Sequence, residues 1–180
     1  MMTRIGLLWV LPVVSLSACA VPITDESSHY YRMPVGTTLV LHQQLAIPAG
    51  NARVFLQSGK VVKKSHLDSY RPHCNFEQRT VSDGAAVITP DRITVMAVTA
   101  GEDFVVQREG LRHAGWRVVG GSDSVSMVNR YIAHTLASPS QPQVVRLTCH
   151  GGFDFPGRAQ LPSLTEIRTA LGEVATIELP

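Results

Sequence analysis

From Pro34 onward the chain is a series of short alternating apolar runs, each stopped by a turn signal. Alternation of period two sends successive side chains to opposite faces of a strand, so each run can bury one face and wet the other. Residues 37–47 form a candidate strand, with Leu39, Leu41 and Leu45 on one parity. Pro48-Ala49-Gly50-Asn51 turns the chain, and residues 52–57 are expected to return as the second arm of a hairpin. Residues 60–64 follow Ser58-Gly59 as a third strand. Residues 74–79 set Cys74, Phe76 and Gln78 against Asn75, Glu77 and Arg79.

The same rhythm continues past Asp83-Gly84. Residues 86–88 and 92–98 flank Thr89-Pro90-Asp91, and residues 104–108 make another β run, with Glu102-Asp103 read as a turn. Residues 110–123 are loop-rich, with a short strand expected at 116–119. Residues 127–136 and 143–149 read as a hairpin around Ser138-Pro139-Ser140-Gln141-Pro142.

Near the C-terminus the period changes. Ser163 and Glu166 have the spacing of a capping box, Leu164, Ile167, Ala170 and Leu171 share one helical face, and Gly172 suits the position after the helix. A helix of about eight residues does not persist alone, so it must pack on the sheet. Residues 174–179 alternate again, as a final strand at an edge. The whole predicts a mostly β fold: an antiparallel sandwich or partly open barrel with one short C-terminal helix. A two-layer α+β arrangement is the alternative.

Ahead of these strands lies a different kind of segment. Arg4 supplies a positive start, residues 5–16 are apolar except for Gly6, Pro12 and Ser15, and Leu16-Ser17-Ala18-Cys19 closes the run with small residues. The run is roughly 12 residues, whereas a membrane span needs about 20. This leader resembles that of bacterial lipoproteins cut by the lipoprotein signal peptidase, with Leu16-Ser17-Ala18-Cys19 as the lipobox. The resemblance covers the leader alone. It implies that residues 1–18 are a signal peptide and are removed. It also implies that Cys19 carries a thioether-linked diacylglycerol and that its amine receives a further acyl chain such as palmitate. The membrane is then a partner through that lipid. Ala20 stands after Cys19 where Asp would favour inner-membrane retention, which points to the outer membrane, at its periplasmic face. The alternative is an ordinary secreted protein that keeps a free thiol. Residues 19–33 read as a lipidated flexible tether, polar through Thr24-Asp25-Glu26-Ser27-Ser28, and residues 34–180 as a single mostly β periplasmic domain.

The leader also settles the cysteine count. Of three cysteines, Cys19 goes to lipid, and Cys74 and Cys149 remain as an even pair expected to form a disulfide. Closing a loop of about 75 residues would contribute roughly 4 kcal/mol in the chain-entropy account. His73-Cys74 and Cys149-His150 offer ligand types that zinc or copper accept. Neighbours on a strand face opposite ways, however, and a disulfide removes both thiolates. A metal centre at His73 and His150 is therefore disfavoured, and no cofactor is expected. The seven histidines show no H-x-H, H-x-x-H or H-E-x-x-H spacing.

Catalytic signatures are equally thin. There is no G-x-S-x-G, and Gly120-Gly121-Ser122-Asp123-Ser124 lacks a strand–turn–helix setting. Glu102, Asp103 and Asp154 mark no pair for acid–base work on glycans. Gly151-Gly152 reads as a turn, with no helix behind it to cradle phosphate. No catalytic residue is singled out. Sixteen basic against 14 acidic residues, a net of +2, give no nucleic-acid footprint. Lys60, Lys63 and Lys64 read as a solvated strand edge. Tyr30, Tyr31, Tyr70, Phe76, Trp116, Tyr131, Phe153 and Phe155 include several aromatics near loops that could meet a partner or glycan, with core packing the simpler reading. These readings converge on a lipid-anchored cell-envelope protein acting as a non-enzymatic binding, scaffold or assembly module, its partner another envelope protein or peptidoglycan. The alternatives are a small periplasmic hydrolase acting on cell-wall material, or a metal or small-ligand carrier.

Overall fold

A computed structural model of the chain describes residues 23–105 and 127–180. The strands are β1 (Thr38–Leu41), β2 (Leu45–Ile47), β3 (Arg53–Gln57), β4 (Lys60–Val62), β5 (His73–Gln78), β6 (Ala86–Ile88), β7 (Asp91–Val105), β8 (Met127–Ala137), β9 (Val144–Asp154) and β10 (Ala175–Glu178), with helix α1 (Leu164–Leu171) before the last. Eight strands form one sheet in the order β10-β1-β7-β8-β9-β5-β3-β4, and β2 pairs with β6 apart from it. The fold is mostly β, a curled antiparallel half-barrel with one short C-terminal helix.

Alternation divides the large sheet into two faces. On one side Leu39, Leu56, Phe76, Ile93, Ile132, Leu147 and Ile177 join a single core cluster. Helix α1 adds Leu164, Ile167, Ala170 and Leu171 to it and packs against β3 and β5 as well as against β10 at the far edge. The sheet thus curls around the helix. Burying one large side chain such as Phe76, which is fully enclosed, contributes roughly 1.5–3 kcal/mol. The helix has its expected capping box: Ser163 Oγ accepts from the Glu166 N–H, and the Glu166 carboxylate accepts from the Ser163 N–H. Gly172 ends it at φ 55°.

Several expected elements shift. Residues 37–47 are two strands, not one: β1 lies in the large sheet, and β2 pairs with β6. The break lets Leu45 and Ile47 reach the core from a second layer while Leu39 and Leu41 reach it from the first. The hairpin expected between residues 37–47 and 52–57 is consequently absent, because β3 pairs with β4 and β5 instead. Its turn to β4 uses Ser58 (φ 51°) and Gly59 (φ 74°), the two left-handed positions that a two-residue hairpin loop requires.

Glu102 and Asp103 do not turn the chain. They lie inside β7, which pairs with β8 from Thr94 to Val105 with one bulge between Val95 and Ala97, and Glu102 faces Arg130 across the ladder at 3.5 Å. Gly151 and Gly152 also sit within a strand rather than in a turn. Tyr131 opposes His150 while Asn129 opposes Phe153, so β9 carries one extra residue at the glycines, a β-bulge. A Cβ at Gly151 would stand 2.2 Å from the Gln160 carbonyl oxygen, and Gly152 has φ 99°. The β8–β9 hairpin and the edge position of β10 are as expected. The strand expected at 116–119 lies outside the described residues, as do the loop at 120–124 and the leader with Cys19.

Part of the segment read as a tether is folded onto the body. The Thr165 N–H donates to the Glu26 carbonyl, Arg168 pairs with Glu26, and His29 Nδ1 lies 2.8 Å from the Leu161 carbonyl oxygen. Met33 is 3% exposed, within the core cluster. Among the described residues, no helix is long and apolar enough to cross a membrane.

Candidate functional site

The outer face of the sheet, opposite the core, is polar across its five middle strands. Arg53 on β3, Asn75 on β5, Arg146, Thr148 and His150 on β9, Tyr131 and Thr135 on β8, and Thr99 and Asp103 on β7 line a trough of about 450 Å³. On β3, β5, β8 and β9 they alternate with core residues: Thr148 lies between Leu147 and Cys149, and Asn75 between Cys74 and Phe76. On β7 the core residues Ile93 and Val95 share the odd parity of Thr99 and Asp103, and the bulge between Val95 and Ala97 turns the latter two to the outer face. Alternation together with that one bulge therefore builds the trough.

The trough has two chemically distinct ends. Towards β3 and β9, Glu77 Oε2 stands 3.3 Å from Arg53 Nε and 3.7 Å from Arg146 Nη1. One carboxylate between two guanidinium groups leaves one positive charge uncompensated there. Asp103 lies at the β7 side. Between them the lining is hydroxyl, amide and imidazole. Asn75 is 2% exposed; its amide N–H donates to the Thr148 carbonyl at 3.4 Å, and its Oδ1 has no partner. His150 Nδ1 is likewise buried without a partner. Burial, reinforced by the neighbouring His73 and Arg53, depresses the His150 pKa to about 4. At neutral pH His150 is thus an uncharged hydrogen-bonding group.

Tyr131 is fixed by a missing side chain. It opposes Gly101 in register, and a Cβ on Gly101 would lie 2.5 Å from both the tyrosine Cζ and Oη. The ring occupies the space over the glycine, with the His150 ring 5.4 Å away on its other flank. Aromatic cover of a strand glycine holds both in place.

The cysteines and histidines singled out by sequence meet in one rung of the ladder. Cys74 opposes Cys149, and His73 opposes His150. The sulfurs are joined as a disulfide on the core face. The imidazoles stack on the outer face, ring centres 4.7 Å apart and planes 10° from parallel. Parallel stacked rings cannot both aim an in-plane lone pair at one ion, and His73 Nδ1 lies 2.9 Å from the Arg71 carbonyl oxygen. Burial also lowers the His73 pKa. The pair is built as a stack rather than as ligands. Among the described residues, no cluster of three or more histidine, cysteine or acidic side chains has metal-binding proximity.

The remaining candidates scatter. Tyr30, Tyr70 and Phe155 are exposed, Phe76 is in the core, and Trp116 lies outside the described residues. Asp154 and Phe153 line a smaller cleft of about 230 Å³ with His29 and Glu166, whose carboxylate already caps α1. Lys60, Lys63 and Lys64, the chain's only lysines, flank edge strand β4, where Lys63 and Lys64 also line an apolar cleft with Phe55 and Val61. Charged residues on an edge strand discourage pairing with another chain.

Sequence reasoning passed over Arg53, Asn75, Thr99, Thr135, Arg146 and Thr148. Each looked like the wet side of an ordinary strand. Only the sheet order, with β9 between β8 and β5, brings them side by side. Known protein families, curated proteins and solved structures all lack a match to this chain.

Proposed function

We propose that this chain is a lipid-anchored envelope protein that binds a ligand in the outer-face trough without transforming it. The observation that carries the binding reading is the trough itself, a polar concavity of about 450 Å³ on which Arg53, Tyr131, Thr135, Arg146, Thr148 and His150 converge from three strands. A concave site with a few convergent polar groups is the usual form of a ligand site. The lipobox pattern at Leu16-Ser17-Ala18-Cys19 supports the anchor and the outer-membrane, periplasmic-side placement.

The hydrolase and metal-carrier readings gain less. His150 stacks on His73 and lies beside the Tyr131 ring, and its Nδ1 makes no hydrogen bond to a nucleophile. The serine hydroxyls nearest a carboxylate, Ser138 and Ser140, donate to Asp91 to fix the β8–β9 loop. A scaffold role through strand addition at β4 is opposed by its lysines.

Two experiments test the two halves. Cys19→Ser should release the protein from the membrane fraction; retention there overturns the anchor. A photo-crosslinking residue at Thr135 in the trough should capture a ligand in cells, while one at exposed Val35 should not. Equal or absent capture at the two positions overturns the trough as the binding face.

A further inference from the structure

We infer that the β4 edge is a second membrane contact, separate from the trough and from the acyl anchor. Its apolar cleft takes a tail of an anionic phospholipid, while Lys60, Lys63 and Lys64 meet headgroup phosphates. Hydrocarbon and unpaired positive charge stand side by side there. The cleft holds about 570 Å³ and runs from Ala46 and Pro48 to Val61 and Val62 on β4, the last strand of the large sheet. Phe55 and Val62 oppose each other across the β3–β4 ladder and both line it, and Val61 is 51% exposed.

The charge is one-sided. Every lysine of the chain lies within residues 60–64, and all three are exposed. Among the described residues, none of them pairs with a carboxylate. No acidic side chain lines the cleft, and its one arginine, Arg53, is held by Glu77. A lysine stem can lie along apolar surface while its ammonium group stays in water. An anionic bilayer supplies both halves of the complement, tails for the cleft and phosphates for the lysines. An extended peptide would have to use the free backbone of β4, and edge lysines discourage that pairing. A second copy docked edge to edge would set lysine against lysine.

The full chain carrying Cys19→Ser reads docking without the anchor. Cys74 and Cys149 are bridged, so an introduced thiol is the sole labelling site. Bimane on Ser65→Cys, in the cleft lining, should be quenched by nitroxide-bearing tails in vesicles containing phosphatidylglycerol. Bimane on exposed Met96→Cys, five places away in the sheet order, should not. Quenching at residue 65 should fall in pure phosphatidylcholine and in salt of about 0.5 M. Lys63→Gln should weaken apparent affinity roughly fivefold, and Lys60→Gln, Lys63→Gln and Lys64→Gln together on the order of a hundredfold. Val61→Asp should abolish quenching. Glycerol phosphate and hexaglutamate, at equal negative charge, should not displace the vesicles, because neither has a tail. Absent quenching at 65, quenching alike at 65 and 96 or in the two lipids, or no loss in Val61→Asp would overturn the proposal. Displacement by either competitor, or a solution dimer that Val61→Asp dissolves, would give the edge to another occupant and overturn it too. If Val61→Asp does not fold, the lysine variants still decide. Cell fractionation of Cys19→Ser tests the anchor separately, so either reading can fail without the other.

Discussion

The far end of the Tyr131 ring occupies the position that a side chain on Gly101 would need, one strand away, with Cζ and Oη each 2.5 Å from the absent Cβ. Gly101→Ala should therefore displace the ring and cost about 1–3 kcal/mol, the usual range for overpacking. Gly84 has nothing within 4 Å of its absent Cβ, and Gly84→Ala should change stability by less than about 0.5 kcal/mol. Urea unfolding of the two variants side by side checks the difference. The Tyr131 ring resonances should move only in Gly101→Ala.

The Cys74–Cys149 bridge joins central neighbours β5 and β9 and closes a separation of 75 residues. Replacing both cysteines with alanine should lower unfolding free energy by about 4 kcal/mol. Reducing the wild type in urea should have a comparable effect. Intact mass before and after reduction and alkylation should show two thiols appearing only on reduction. Two free thiols in protein isolated from cells without reductant would contradict the bridge.

Acid should loosen the fold before its carboxylates protonate. His134 is fully buried opposite Leu147, and burial holds its pKa at about 4, with Arg32 lowering it further and the Leu147 carbonyl opposing. His150 is depressed to the same value. The unfolded chain protonates these groups near pH 6.5, whereas the folded chain resists until about pH 4. Between those values the unfolded state binds more protons, so stability falls as pH falls. Each group contributes a slope of up to about 1.4 kcal/mol per pH unit. His134→Leu should flatten that part of the profile, measured as unfolding free energy against pH. It also removes Nε2, a buried nitrogen that has no partner.

Asp91 has the opposite sign. Burial pushes its pKa up, but hydrogen bonds from Ser138, Ser140, Gln141 and the Arg92 N–H prevail and hold it at about 2. Its stabilisation is complete above the ordinary value of 3.8 and is lost as pH falls through about 2. Asp91→Asn should weaken the β8–β9 loop anchor at neutral pH and remove the change below pH 4. Hydrogen exchange at Gln141, whose N–H donates to Ser138, should report the loosening.

Helix α1 is short enough for one cap to matter. Ser163→Ala should cost about 1 kcal/mol. Thermal unfolding should show it as a lower midpoint with unchanged cooperativity.

What was legible in the sequence was local. The capping box at Ser163 and Glu166, the β8–β9 hairpin and the alternation of Cys74 and Phe76 all rest on contacts within a few residues or on strand parity. Long-range partner choice was not legible. Residues 37–47 have one parity throughout, and nothing in that pattern says that Leu41 pairs with Asp91 while Leu45 pairs with Ile88. Glu102-Asp103 looked like a turn because two acids rarely sit in a strand, and the ladder to β8 overrode that preference. The histidine rung was half visible: opposite facing from the cysteines followed from strand geometry, whereas the stack of His73 on His150 needed the pairing. The trough was hidden because its residues come from five strands, and none carries a motif.

Docking of Glu26 and His29 on the helix end of the domain also sets a distance. With Cys19 lipidated, only six residues separate the anchor from Glu26, and an extended chain covers at most about 3.6 Å per residue. That span, roughly 25 Å, is shorter than the width of a domain this size. The protein would then graze the bilayer like a moored float rather than patrol the periplasm, sampling only the layer of the envelope next to its own membrane.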